Sequence, residues 1–316
     1  MEMKKARNIE IIRQLSLLFL LLLEIILFSL LAERFFSFSN AISILRQVSV
    51  TGISAMGMFM IILLGDIDLS VGSMYAFIGV VSALIFKTTE SAVLAIIAAL
   101  VIGTGIGFIN GTITARFKIT AFITTLATMS VCSGFAYIIT KGTPIGVTNP
   151  AFTFLGSGYI AGVIPLPIIF MLIVLALGYF TMYKTRFGRH IYACGGNAQA
   201  AKWSGINADK IKVLVFVIAG FLNGFAAIVL AGRLGGGLPS AGDGSEMDVI
   251  TAVVLGGTSM TGGKGKLWGV VLGVLIIGVL TVGLTMVGVS TYWQNVIKGV
   301  IIVAAVIIDT KGTKTA

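Results

Sequence analysis

Long apolar runs alternate with short polar intervals along the whole chain, and most runs are long enough to cross a bilayer as helices. The pattern predicts ten spans, at about 15–32, 42–64, 70–86, 93–115, 121–139, 166–183, 213–231, 250–255, 267–286 and 292–308. Glycine-rich polar stretches border the second and eighth spans, so we expect broken or re-entrant segments there. We therefore predict an all-α polytopic membrane protein, with one transmembrane domain over 1–316 and a membrane region over 15–308.

Basic residues predict the orientation of the spans. With both termini in the cytoplasm, the cytosolic intervals hold 16 of the 22 Lys and Arg residues, and the opposite orientation would invert this bias. The basic N-terminus followed by an apolar run also fits a signal peptide, but the run is long and lacks a small-residue cleavage site. We interpret it as an uncleaved first span. The net charge of +10 then marks topology and does not indicate a nucleic-acid surface.

Composition excludes a soluble protein, because 57% of the residues are apolar and only 11% are charged. The 40 glycines fit closely packed membrane helices, and Gly103, Gly107 and Gly111 predict a packing groove on one helix face. The chain has two Cys and one His. We therefore expect no disulfide framework, metal site, cofactor or His-based catalysis.

Two apolar runs are separated by the stretch GDIDLSVGS, residues 65–73. Its carboxylates, Asp66 and Asp68, would be costly in contact with lipid, so the stretch is either a broken helix facing a cavity or a tight cytosolic turn. Asp68 is also well placed to cap the following helix, which is a purely structural role. Asn110, beside the glycine groove, either bonds to a neighbouring helix or touches a solute.

The interval 184–212 is the longest polar interval after the N-terminus, with six basic residues and one acid, as is typical of a cytoplasmic loop. Within it, Gly195, Gly196 and Asn197 predict a turn and the start of a short helix over 198–204, which Gly205 ends. The interval is either a structured connector or an element that docks on a partner.

The segment GGTSMTGGKGK, residues 256–266, is a near miss to a phosphate-binding P-loop. Thr258 stands where the first glycine is needed, and Gly265 replaces the Ser or Thr that would hold Mg²⁺. We therefore expect no ATPase site and no catalytic residue in this chain. The spacing of Gly65 and Gly72 recurs in the second segment, which predicts a weak internal repeat whose broken segments border a substrate path.

These motifs resemble those of the ribose-permease-like family, the membrane subunits of ATP-binding cassette sugar importers. The resemblance runs from about residue 35 to about residue 309, and it rests on GDIDLSVG at 65–72, GGN with AA and SGI within 195–206, AVVLGGTS at 252–259 and GGKG at 262–265. It implies a non-enzymatic pathway subunit for a monosaccharide, most closely ribose, in the plasma (inner) membrane of a prokaryote. The implied partners are an ATPase subunit, an extracytoplasmic sugar-binding protein, membrane lipid, and a second copy of the chain or a paralogous permease; nucleic acid is not expected.

Three sets of candidate residues follow from the motifs and the resemblance. The pathway set is Gly65, Asp66, Asp68, Ser70, Gly72, Asn110, Gly256, Thr258, Ser259 and Gly263. The ATPase-coupling set is Gly195, Gly196, Asn197, Ala200, Ala201, Ser204, Gly205 and Ile206. The set expected to contact the binding protein is Asp243, Glu246 and Asp248, in a segment, 232–248, that we expect to be an external loop. The alternative function is an ion-gradient-driven secondary sugar transporter that uses Asp66, Asp68 or Glu24.

Overall fold

A computed structural model describes the backbone of residues 2–314 and the side chains of residues 14–307. The helices are α1 Glu2–Leu31, α2 Phe38–Leu63, α3 Val71–Thr89, α4 Ala92–Arg116, α5 Ala121–Thr140, α6 Pro150–Ser157, α7 Leu166–Lys184, α8 Arg186–Gly196, α9 Ala198–Trp203, α10 Ala208–Leu234, α11 Ser245–Leu255, α12 Leu267–Met286 and α13 Thr291–Lys314. Four two-residue strands, β1 Ile145–Gly146, β2 Tyr159–Ile160, β3 Ile164–Pro165 and β4 Gly236–Gly237, pair antiparallel as β1–β4 and β2–β3. The all-α polytopic prediction is confirmed.

Eight described helices are long and apolar enough to cross a membrane: α1, α2, α3, α4, α5, α7, α10 and α12. Helix α11 has 11 residues, which span about 16 Å, or half of a hydrocarbon core of about 30 Å. Helix α13 adds a shorter apolar stretch, Thr291–Ile307. Of the about ten predicted spans, the eighth is therefore a half-helix, as the expectation of a broken segment there allows, whereas α2 is continuous and the break follows it.

The glycine groove of α4 packs directly on α10. A Cβ placed on Gly103 would lie 2.8 Å from the Gly224 Cα, and one placed on Gly107 would lie 3.1 Å from the Gly220 Cα. Any side chain at these positions would force the two backbones apart. The predicted groove is confirmed, and it joins α4 to one of the most buried helices of the bundle.

The residues just before α3 lie inside the bundle. Leu69 donates its N–H to Thr125 Oγ1 on α5 at 3.1 Å, and Ser70 lies 3.5 Å from the Asn110 amide on α4. Since Asn110 is six residues before the end of α4, this contact lies about 9 Å along the helix axis from that end. After α2 ends, the chain therefore turns back into the bundle as an extended segment before α3 begins. The segment thus joins two helices that are each long enough to cross a membrane, and its inward course agrees better with the broken-helix interpretation than with a tight cytosolic turn.

A second irregular segment, 235–244, made of β4 and turns, also packs along α3. It starts at β4, where Gly237 packs on the backbone of Val80 in α3, and Gly242 reaches the first turn of α3, with a Cβ placed on it lying 2.6 Å from the Gly72 carbonyl oxygen. Glycines with positive φ, including Gly242 and Gly244, allow the irregular backbone to pass close to α3. The expectation of an external loop over 232–248 does not fit Glu246 and Asp248, which pack inside the bundle at the start of α11, whereas Asp243 is exposed.

Candidate functional site

Helices α2 and α11 end in the same way. A glycine with positive φ follows each helix, and its N–H donates to the carbonyl three residues earlier at 2.9 Å in both cases. The next residue, Asp66 or Thr258, donates its N–H to the carbonyl five residues earlier at 3.2 Å. Both endings are Schellman motifs. The structure supports the internal repeat and corrects its register, because Gly65 matches Gly257 and not Gly256.

The two helix endings meet each other and the end of α8. Gly263 donates its N–H to the Leu63 carbonyl at 2.8 Å. Gly195 lies against the same carbonyl, and a Cβ placed on Gly195 would collide with the Leu63 oxygen and lie 2.7 Å from the Gly263 nitrogen. We call this contact of Leu63, Gly195 and Gly263 the glycine junction. Through backbone atoms, it joins the predicted coupling loop to the end of α2 and to the turn between α11 and α12.

The predicted coupling helix is present. Asn197 is its N-cap, with the side-chain oxygen accepting the Ala200 N–H at 2.9 Å. Helix α9 then ends at a Schellman turn, where Gly205 has φ +83 and Ile206 donates its N–H to the Ala201 carbonyl at 3.0 Å. The prediction differs at one point: Gly195 and Gly196 are the last residues of α8 and do not form a turn of their own.

The two faces of α9 differ in exposure. Ala201 is only 5% exposed and packs on the chain itself, whereas Trp203 is 79% exposed. Ala200 is exposed, in line with its place in the coupling set. Ala201 therefore serves the internal packing of the loop, and Trp203, which the sequence analysis left out, is the large residue available to a partner. A tryptophan in a basic cytosolic helix was a signal that could have identified it.

Polar side chains link the segment just before α3 to α4 and α5. Asp68, 3% exposed, accepts bonds from the Ser70 N–H at 2.8 Å and the Ser70 hydroxyl at 2.6 Å. Asn110 accepts a bond from the Thr128 hydroxyl at 2.5 Å and contacts Ser70 through its NH₂ group. Ser70, and not Asp68, occupies the N-cap position, although Asp68 does bond to its N–H. For Asn110 the structure shows contacts between helices.

Asp66 lies at the other end of the same segment, next to the end of α2. Its carboxylate forms an ion pair with Lys212 of α10 at 2.7 Å, and its side chain is 12% exposed. Burial raises the pKa of Asp66, and the nearby ammonium of Lys212 opposes that rise. The ion pair holds the segment after α2 against the start of α10, close to the coupling loop.

The acidic residues of 232–248 have separate surroundings. Asp243 is exposed. The Glu246 carboxylate stands against Gly72, which has no room for a Cβ, and Asp248 forms an ion pair with Lys298 of α13 at 2.7 Å. Glu246 and Asp248 therefore lie at the start of α11 within the bundle, and the structure does not support an external contact surface made of all three acids.

The remaining candidates are internal or peripheral. Thr258 is fully buried and Ser259 is 3% exposed, within the turn between α11 and α12. Gly256 packs on Gly269 of α12. Glu24 lies in α1, which packs on α12. Among the described residues, no three His, Cys, Asp or Glu side chains gather as a metal site, so the structure does not bring Glu24 together with Asp66 and Asp68.

Comparison with known proteins gives consistent relatives. A family described as "Branched-chain amino acid transport system / permease component" matches residues 40–306. The chain is 44% identical to the ribose import permease protein RbsC of Escherichia coli K12 over 95% of this chain and 94% of that protein. It is 41% identical to RbsC of Bacillus subtilis over 92% and 91% of the two chains. It is also 37% identical to a probable ABC transporter permease protein, YphD, of E. coli K12, over 94% and 89%. No solved structure matches the chain.

The family match covers most of the chain, and the relatives align with nearly its whole length. The broken segments, the buried ion pairs and the glycine junction all lie within the matched residues. The chain is thus a multi-pass membrane protein that belongs to the family described as "Branched-chain amino acid transport system / permease component", and it is similar along most of its length to ribose import permeases.

Proposed function

We propose that this chain is the transmembrane subunit of an ATP-binding cassette importer and forms the translocation pathway for a monosaccharide, D-ribose in the first instance. The observation that carries the proposal is the 44% identity to a ribose import permease over 95% of the chain. The internal features agree with it. The end of α2 and the turn between α11 and α12 meet at the glycine junction, as expected of paired broken segments that border a solute pathway.

ATP hydrolysis in this proposal belongs to a partner subunit that docks on α8 and α9. The exposed Trp203 and Ala200 of α9 are available for that contact, and the loop carries the basic residues expected on the cytosolic side. Movement of the ATPase would displace α8, whose Gly195 is in backbone contact with Leu63 and Gly263. The displacement would then reach both broken segments and change the side to which the pathway opens.

A second copy of the chain would complete the pathway, and an extracytoplasmic sugar-binding protein would deliver the solute. The loop 141–165 offers an external surface for that delivery. Its hairpin β2–β3 exposes Tyr159 and Ile160, and the Arg46 guanidinium lies 5.8 Å from the centre of the Tyr159 ring. With Glu246 and Asp248 inside the bundle, Asp243 remains the acid of the original set that is available to a partner.

The ion-gradient alternative is set aside. The relatives carry the names of import permeases and of an ABC transporter permease. The carboxylates that the alternative needs are also engaged, since Asp66 pairs with Lys212 and Asp68 accepts two bonds from Ser70. Neither aspartate is therefore free to exchange a cation without breaking a structural contact.

Uptake in proteoliposomes tests the proposal. The chain is reconstituted with its ATPase and binding protein, the ion gradients are dissipated, and uptake of radiolabelled D-ribose is measured with and without ATP. We expect uptake only when ATP and the binding protein are both present. Uptake by the chain alone that disappears with the ion gradient would overturn the proposal, and ATP-driven uptake of an amino acid but of no sugar would correct the substrate.

A further inference from the structure

Two tyrosines hold the turn between α11 and α12 to helices α7 and α8. Tyr192 of α8 donates its hydroxyl to the Gly265 carbonyl at 2.9 Å. Tyr183, near the end of α7, accepts the Leu267 N–H on its hydroxyl at 3.0 Å. The two bonds take the peptide groups on either side of Lys266, and they join residues 73 and 84 positions apart in the sequence. We call this pair of contacts the tyrosine clamp.

The bond to Tyr183 replaces a helix cap. Lys266 is the N-cap of α12, and its side chain makes no capping bond. The first N–H groups of a helix have no partner within the helix, so they need one from outside. Leu267, the first residue of α12, gives its N–H to Tyr183. A hydroxyl of α7 therefore fixes the start of α12.

Packing restricts the rings that carry the two hydroxyls. Tyr192 is partly buried and packs against the hydrophobic core. The centre of the Tyr183 ring lies 5.0 Å from that of Tyr179, one turn earlier in α7, and the Tyr183 hydroxyl lies close to that of Tyr192. A packed ring cannot follow a moving turn by changing its rotamer without losing these contacts. A displacement of α8 therefore acts on the hydrogen bond to the turn.

The clamp and the glycine junction transmit opposite movements. At the junction, Gly195 is in steric contact with the Leu63 carbonyl and the Gly263 nitrogen. Such a contact resists approach strongly but resists separation weakly, because the attraction between a pair of touching atoms is small. A hydrogen bond resists separation, because breaking it leaves a buried group without its partner. The bond that Tyr192 makes thus holds α8 to the turn when α8 moves away.

We propose that Tyr192 and Tyr183 are positioning residues that couple ATP hydrolysis to transport. When the ATPase subunit draws α8 away from the bundle, Tyr192 pulls the Gly265 peptide after it, and Tyr183 keeps the start of α12 aligned with the end of α7. The glycine junction transmits the return movement. The inference rests on the proposed function, since it takes α8 and α9 to be the contact with an ATPase.

Removal of single hydroxyls tests the clamp. Tyr192→Phe and Tyr183→Phe delete the hydrogen bonds and keep the rings, so the packing of α7 and α8 is retained. Tyr179→Phe is the matched control, because Tyr179 stacks in the same group of rings but makes neither bond of the clamp. The measurement is uptake, per ATP hydrolysed, of the sugar found in the uptake assay above. The proteoliposomes contain the ATPase and the binding protein.

We expect Tyr192→Phe to lower the ratio of uptake to hydrolysis about fivefold, in keeping with the loss of one neutral hydrogen bond, and Tyr179→Phe to stay within about twofold of the unmodified chain. Tyr183→Phe should have an effect similar to that of Tyr192→Phe. The two changes together should lower the ratio by less than the product of the single effects, because both bonds hold one turn. Loss of folded protein would lower uptake and hydrolysis together and leave the ratio unchanged, so the ratio separates coupling from a purely structural role.

A normal ratio in Tyr192→Phe would overturn the clamp, as would equal losses in Tyr192→Phe and Tyr179→Phe. The outcomes are separable from the proposed function. ATP-dependent uptake by the unmodified chain, together with a normal ratio in Tyr192→Phe, removes the clamp alone. Uptake by the unmodified chain without ATP removes the proposed function and the clamp with it.

Discussion

Gly195→Ala should uncouple transport from ATP hydrolysis. The new Cβ would collide with the Leu63 carbonyl oxygen and lie 2.7 Å from the Gly263 nitrogen. Both obstacles are backbone atoms, so no change of rotamer relieves the overlap, and α8 must move away from the glycine junction. Gly196→Ala is the matched control, because a Cβ at that neighbouring position meets no atom within 4 Å.

The magnitude follows from the difference between the two variants. Overpacking a close contact costs about 1–3 kcal/mol. Replacing glycine by alanine within a helix returns roughly 0.5–1 kcal/mol, but both variants receive this gain, so it cancels. Because about 1.4 kcal/mol corresponds to tenfold, the docked arrangement of α8 should be populated about 5- to 140-fold less in Gly195→Ala than in Gly196→Ala.

The assay is ATP-driven sugar uptake per ATP hydrolysed, in proteoliposomes that contain the ATPase and the binding protein. Gly195→Ala should lower this ratio by about tenfold, while co-purification of the ATPase subunit stays near the level of the unmodified chain. Gly196→Ala should remain within about twofold of the unmodified chain. A Gly195→Ala variant that assembles and transports with the normal ratio would refute the role of the glycine junction in coupling.

Three further predictions concern other contacts. Trp203→Ala, which removes a side chain that is 79% exposed, should weaken binding of the ATPase subunit by about 30-fold, as for a hot-spot residue, and unchanged affinity in a titration would refute this. Asp248→Asn should lower the stability in detergent by up to roughly 3 kcal/mol, because it leaves Lys298 buried and unpaired, and Asp248→Asn combined with Lys298→Met should restore much of the loss; equal losses in the single and double variants would exclude the pair as the cause. Gly107→Val should lower the melting temperature far more than Gly105→Val, since only Gly107 packs on α10, and equal shifts would count against the groove.

Much of the fold could be predicted from local patterns. Apolar length predicted the spans, because each helix must satisfy its own backbone in lipid. Glycine spacing predicted the groove on α4, though not its partner α10, and Asn197 and Gly205 predicted the bounds of the coupling helix. In each case the determining residues lie within one helix or one turn, so sequence spacing is sufficient.

Contacts between distant residues could not be predicted in this way. The pairing of Asp248 with Lys298 joins residues 50 positions apart, and nothing near Asp248 in the sequence indicates a buried partner. For this reason, local sequence predicts an external loop for the whole acidic, glycine-rich segment. Likewise, Ala201 and Trp203 lie in the same six-residue helix, and only the packing of the loop decides which of them is exposed.

The glycine junction is the clearest case, because its chemistry leaves no side-chain signal at all. Leu63 takes part through its carbonyl, Gly263 through its N–H and Gly195 through the absence of a Cβ. A contact made of side chains can absorb a small displacement by changing rotamers, whereas close-packed backbones transmit it. A shift of α8 must therefore move the end of α2 and the turn between α11 and α12, or else break the Gly263 bond. For a subunit that has to pass on the movement of a partner, this rigidity is a physical reason for glycine at both 195 and 263.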